Sequence, residues 1–230
     1  MRTAPIAAYF PNDSLKRKAF TEAQSRLTHS DPKATIAATA ITELTALFLT
    51  SRAHPSDEQI LESLTNISED QEWLQILESL KTCFVEGRNL QDLLLQLGAN
   101  PAKGISGYVY QTVPCVLLTG LRNQWDFETT ITELIATGGD TDTTAAIAGA
   151  LCGSLGGIEN IPQKWISGIR EWPTTKEDLT TLANAFPAES KIRIRPGWSP
   201  LLLIRNLMFL GIVLFHGFAR LLPQSLLSKK

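Results

Sequence analysis

The amino-acid sequence predicts an all-α fold. Apolar residues recur at three- and four-residue spacing through most of the 230 positions. No stretch alternates with period two for long enough to make a strand. The breakers Pro55, Asn100-Pro101, Gly104 and Pro173 fall between helical stretches. With no internal repeat and no low-complexity linker, the chain reads as one domain over 1–230.

The helices follow in order. Asp31 and Pro32 make an N-cap and a first-turn proline, and Ile36, Ala40, Leu44 and Leu47 then share one face. Ser68 and Gln71 are spaced as a capping box for a helix striped by Trp73, Leu77, Leu80 and Phe84. Asn89 to Leu97 is a short amphipathic piece closed by Gly98. Pro114 to Leu121 and Phe127 to Ala136 are two more, the second ending at Gly138-Gly139.

The stretch from Pro200 to Pro223 is long and apolar. Arg205, Asn206, His216 and Arg220 interrupt it, and its unbroken run from Leu207 to Phe215 is shorter than the ~20 residues that cross a bilayer. A helix apolar on most sides belongs in a core or an oligomer interface, so burial is expected and a membrane role is not.

Composition narrows the function. Hydrophobic residues make up 43% and charged residues 19%, enough for a sizeable core. With 21 basic and 23 acidic residues the net charge is -2, which argues against a nucleic-acid binder. The basic run Lys16-Arg17-Lys18 reads as a solvated helix face. Cys83, Cys115 and Cys152 form no C-x-x-C, and the first residues carry no long apolar core. A reducing, cytoplasmic setting is the expectation.

The segment ATGGDTDTTAAIAGALCGSLGG, residues 136–157, is the most informative. Asp140, Asp142, Thr143 and Thr144 crowd five positions at a helix start. One of them suffices as a cap, worth ~1 kcal/mol, and two carboxylates this close repel unless something positive holds them. Oxygen donors without His or Cys suit a hard ion, Mg²⁺ or Mn²⁺. The EF-hand pattern fails, because Ala145 and Leu151 stand where Gly and Glu are needed. D-x-D-x-T is also the signature of haloacid-dehalogenase-like phosphatases, but there it ends a β-strand, and here a helix and two glycines precede it. Behind the motif, Ala145, Gly149, Gly153 and Gly157 recur every four residues, a row expected to let another backbone approach closely.

GGDTDTTAAIAGALCGSLGG resembles the C-terminal metal motif of the ADP-ribosylglycohydrolases, the DraG-like family. MRTAPIAAYF resembles the end of that family's substrate loop and its following helix. Leu27-Thr28-His29, GYVYQTVPCVLL from Gly107, and Ile161-Pro-Gln-Lys-Trp165 resemble further family segments in the same order. The resemblance implies a compact all-α domain that binds Mg²⁺ or Mn²⁺ and removes ADP-ribose from modified side chains or related small molecules. It implies Asp140, Asp142 and Thr143 as metal ligands and the two aspartates as catalytic. Arg2, His29, Gly107 and Tyr108 become substrate contacts, with the Arg2 guanidinium suited to a pyrophosphate.

The sequence also departs from the family. The family's acidic metal ligands from its N-terminal region have no counterpart, and Met1 falls on the methionine of the substrate loop. The expectation is a shortened relative holding half of a site: a sequence begun at an internal methionine, one half of a pair completed by a partner chain, or a degenerate copy. A non-catalytic module that keeps the fold is the alternative.

Overall fold

Short polar side chains start most of the helices. The computed structural model describes residues 2–170, 175–185 and 200–221. Within them lie α1 (Ala4–Tyr9), α2 (Ser14–Arg26), α3 (Pro32–Thr50), α4 (Asp57–Thr65), α5 (Gln71–Val85) and α6 (Leu90–Gln96). After these come α7 (Val109–Arg122), α8 (Phe127–Thr137), α9 (Thr141–Gly156), α10 (Gln163–Gly168), α11 (Lys176–Ala185) and α12 (Pro200–Leu221). Among the described residues no strand forms, and Ile105 and Gly139 meet in an isolated parallel bridge. The all-α expectation holds.

Asp13, Asp31, Ser56, Asn89 and Asp126 each accept a backbone N–H of the helix they precede, filling donors the first turn leaves open. α5 corrects the expected cap. Asp70, not Ser68, accepts from the Trp73 amide at 2.8 Å, while the Ser68 hydroxyl accepts from the Asp70 amide. α7 starts a turn and a half before Pro114, which therefore sits inside the helix. The lost backbone bond is tolerated because Tyr110, Val113, Cys115, Val116, Leu117 and Leu118 are all buried around it. Arg17 is also not solvated. It is buried, forks onto Glu43 of α3, and donates to the Phe10 and Pro11 carbonyls at 3.0 and 2.8 Å.

The chain divides into two compact units, Met1–Ile166 and Ser167–Lys230, where the sequence predicts one domain. In the first, α3 is central and packs against α1, α2, α4, α7 and α9. The core joins Leu44 and Phe48 of α3, Trp73 and Leu80 of α5, Leu117 of α7 and Leu151 of α9. On α9, however, the buried face is Thr144, Ile147, Ala148, Leu151 and Cys152 rather than the glycine row. A β-carbon at Gly149 would lie 3.6 Å from the Phe127 ring and one at Gly153 would meet open space, so at Gly149 side chains, not a backbone, stand closest.

The second unit contains α12, and burial in the chain's own core, one of the two expectations, is not found there. Its Pro200–Phe218 stretch has no buried residue. The helix also runs through Arg205, Asn206 and His216 without a break, so its length is set by 22 residues and not by the unbroken apolar run. Pro223 and Met1 lie outside the described residues.

Candidate functional site

Two loops are pinned together by glycines. Gly104 has φ +71°, and a β-carbon there would lie 2.3 Å from the Gly138 carbonyl carbon. Gly139 has φ +86°, and a β-carbon there would lie 2.1 Å from the Ile105 carbonyl oxygen. This contact lets the Ile105 amide donate to the Gly138 oxygen at 3.0 Å and the Asp140 amide donate to the Ile105 oxygen at 2.7 Å. Gly107 is thereby laid against Asp140, whose Oδ2 would be 2.9 Å from a β-carbon at 107.

Asp140 holds the N-cap position of α9, but its side chain caps nothing. Its carbonyl does the helical work, accepting from the Thr144 amide at 3.2 Å and the Thr144 hydroxyl at 3.0 Å. The carboxylate is left to other partners. Asp142 stands two positions further on, and its Oδ1 accepts from the Thr143 amide at 2.9 Å. The neighbouring Asp140 first, and the Thr143 amide second, hold the Asp142 carboxyl below its ordinary value. Two carboxylates this close repel, and a cation is a natural partner for them.

Beside Asp140 opens a cleft of about 280 Å³. Arg2, His29, Gly107, Asp140 and Thr143, from four separate chain segments, all line it. The Arg2 guanidinium donates to Thr28 Oγ1 at 3.4 Å, and that hydroxyl lies 2.8 Å from His29 Nδ1. A wider concavity of about 600 Å³, around Arg52, His54 and Trp125, contains none of the expected residues.

Two expected residues do not line the cleft. Tyr108 turns outward: its hydroxyl donates to Glu72 Oε1 at 3.2 Å and accepts from Lys33 Nζ at 3.1 Å, with the Lys33 ammonium over its ring. Asp142, two positions beyond Asp140 on the helix, is exposed and outside the cleft's lining. The structure adds Thr3. It is 3% exposed, it lines the cleft, and its hydroxyl has no partner among the described residues. No periodicity singles out such a residue; only its place next to Arg2 points to it.

Asp140, Asp142 and Thr143 supply hard oxygen donors that suit a cation such as Mg²⁺. They do not complete a ligand set. Among the described residues no group of three or more His, Cys, Asp or Glu side chains gathers to hold a metal.

The sequence matches the ADP-ribosylglycohydrolase family over residues 1–194. The chain belongs to that family. It is 32% identical over 91 residues to the ADP-ribosyl-[dinitrogen reductase] glycohydrolase of Rhodospirillum rubrum, covering 39% of this chain and 31% of that one. It is 26% identical over 182 residues to an uncharacterized protein of Archaeoglobus fulgidus, covering 79% of this chain and 56% of that one. The chain thus spans about half or less of these two relatives, and the cleft falls within the family match.

Proposed function

We propose that this chain acts as a metal-dependent hydrolase that removes ADP-ribose from a modified protein side chain or a related small molecule. The observation that carries this reading is the meeting of Arg2, His29, Gly107, Asp140 and Thr143 in one cleft. The relative from Rhodospirillum rubrum, named for ADP-ribosyl chemistry, supports it. The three free, buried thiols suit a reducing cytoplasm.

Arg2 offers a planar fork to a pyrophosphate, and Gly107 allows the ligand's close approach to Asp140. The unpartnered Thr3 hydroxyl donates to a ligand oxygen. His29 is oriented through Thr28 and holds the cleft's entrance. Asp140, Asp142 and Thr143 would hold Mg²⁺ or Mn²⁺, and the bound ion supplies charge that orients ribose hydroxyls and acidifies water. Cleavage at the distal ribose builds oxocarbenium-like positive charge, which the Asp140 carboxylate would stabilise.

Release of ADP-ribose from an ADP-ribosylated arginine protein, followed chromatographically with Mg²⁺ and then with EDTA, tests the reading. Asp140→Ala is expected to lower the rate roughly 100-fold, on the scale of removing one charge-stabilising contact at a transition state. Release that persists in EDTA and in Asp140→Ala would sink it.

A second reading, one half of an assembled enzyme or a non-catalytic module, is favoured by a specific observation. Tyr9, Leu15, Phe20 and Leu27 on and beside α1 and α2 are exposed at 55, 81, 54 and 82%, apolar side chains that a partner segment would cover. A thermal melt that ignores Mg²⁺, together with no release of ADP-ribose, would favour it.

A further inference from the structure

We infer that α12 is a transmembrane anchor, and that a lipid bilayer is the partner of this chain's C-terminal region. The first argument is length. At 1.5 Å per residue, a 22-residue helix spans about 33 Å, close to the ~30 Å hydrocarbon layer of a bilayer. Its Pro200–Phe218 stretch has a mean hydropathy of 1.9 and contains no Asp or Glu.

The second argument is the distribution of the apolar residues around the helix. Leu203, Leu207, Leu210 and Leu214 form one exposed stripe. Phe209, Ile212 and Phe215 are exposed on the other side, Phe215 at 72%. A protein groove or a second copy in a coiled coil covers one stripe and would leave the opposite phenylalanines in water. Lipid covers every side at once.

The third argument is charge. From Lys191 to Lys230 the sequence holds Lys191, Arg193, Arg195, Arg205, Arg220, Lys229 and Lys230 and no acidic residue. Basic residues thus stand on both sides of the helix, with Trp198 just before it. That is the pattern of a segment meeting anionic headgroups and the aromatic interface zone. Arg205 enters the apolar stretch only five residues, about 7.5 Å, from the helix start, within reach of the interface for a long side chain. The inference stands on α12 and its flanks, independently of what the cleft does.

The test uses the full chain in two settings. In cells, membranes are washed with alkaline carbonate, which strips peripheral proteins and leaves spanning ones. In vitro, the protein is floated with vesicles of phosphatidylcholine containing phosphatidylglycerol. The unaltered chain is expected to stay with the membranes and to float. Leu210→Arg combined with Val213→Arg, two charges at mid-helix, is expected to reduce the retained fraction at least tenfold. Complete extraction of the unaltered chain by carbonate, or its failure to float, overturns the anchor whatever the variant does. Retention of the double variant overturns the assignment to α12. A soluble oligomer that dissociates in the variant overturns it in favour of helix-to-helix pairing.

Discussion

α3 and α12 are similar on paper and end in opposite surroundings. Both begin at a proline, both are mostly apolar, and they run to 19 and 22 residues. Yet α3 is the hub of the first unit, with Ala40 and Leu44 completely buried, while the Pro200–Phe218 stretch of α12 has no buried residue. The difference lies in side-chain size and in the polar groups. α3 mixes alanines with a few large residues, so neighbouring helices approach closely. Its threonines return their hydroxyls to the carbonyl four residues back, at 2.9 Å for Thr39 and Thr42 and 2.6 Å for Thr45. A polar atom is thereby buried at little cost. α12 carries Leu, Ile, Phe, Met and Val and no Ser or Thr. Its two glycines, Gly211 and Gly217, face open space. Hydrophobicity says that a helix leaves water. The pattern of sizes says whether protein can receive it.

The comparison breaks most visibly at Leu44. Leu44→Ala empties a completely buried position and is expected to destabilise the first unit by about 2–5 kcal/mol in denaturant unfolding. Next comes Gly139→Ala, which combines φ +86° with a collision against the Ile105 carbonyl. A loss of about 1–3 kcal/mol is expected, and titration calorimetry should show weakened ADP-ribose binding because Asp140 moves with that loop.

A pH scan probes the same core more gently. Burial pushes the Cys115 and Cys152 thiols from 9.0 up to about 12. The folded state keeps both protons where the unfolded chain releases them. Their contribution is therefore complete below pH 9 and is lost as pH rises through about 12. Thermal melts at rising pH check this, and Cys115→Ala should flatten the alkaline decline. The smallest effect belongs to α12: Leu210→Ala removes an exposed side chain and should leave unfolding of the first unit within about 0.5 kcal/mol.

Much of the site was legible in the sequence because its determinants are local. The crowding of Asp140, Asp142 and Thr143 at a helix start, after two glycines, is visible in five residues. Arg2, His29 and Gly107 were legible only through family resemblance, since nothing in their own surroundings marks them. Tyr108 lies outside the cleft's lining, since an aromatic beside Gly107 says nothing about Lys33 and Glu72, 75 and 36 positions away, which draw its hydroxyl outward. Ser68 and Asp70 are both good caps in a short polar run, and the choice between them depends on where Trp73 must be buried. Pro114 reads as a helix start by local rules, yet five residues before it are helical because the core covers that face.

The sequence by itself determined the all-α class, most helix starts and the oxygen-rich motif, because each depends on residues within one or two turns. Only the tertiary structure decided which side chains meet. It brought Arg2, His29, Gly107 and Asp140 to one cleft, left Thr3 without a partner among the described residues, and turned Tyr108 away. It also showed α12 exposed where burial was expected. Contacts between distant segments depend on how whole faces fit together, and a spacing rule read along one chain segment contains no information about its partner.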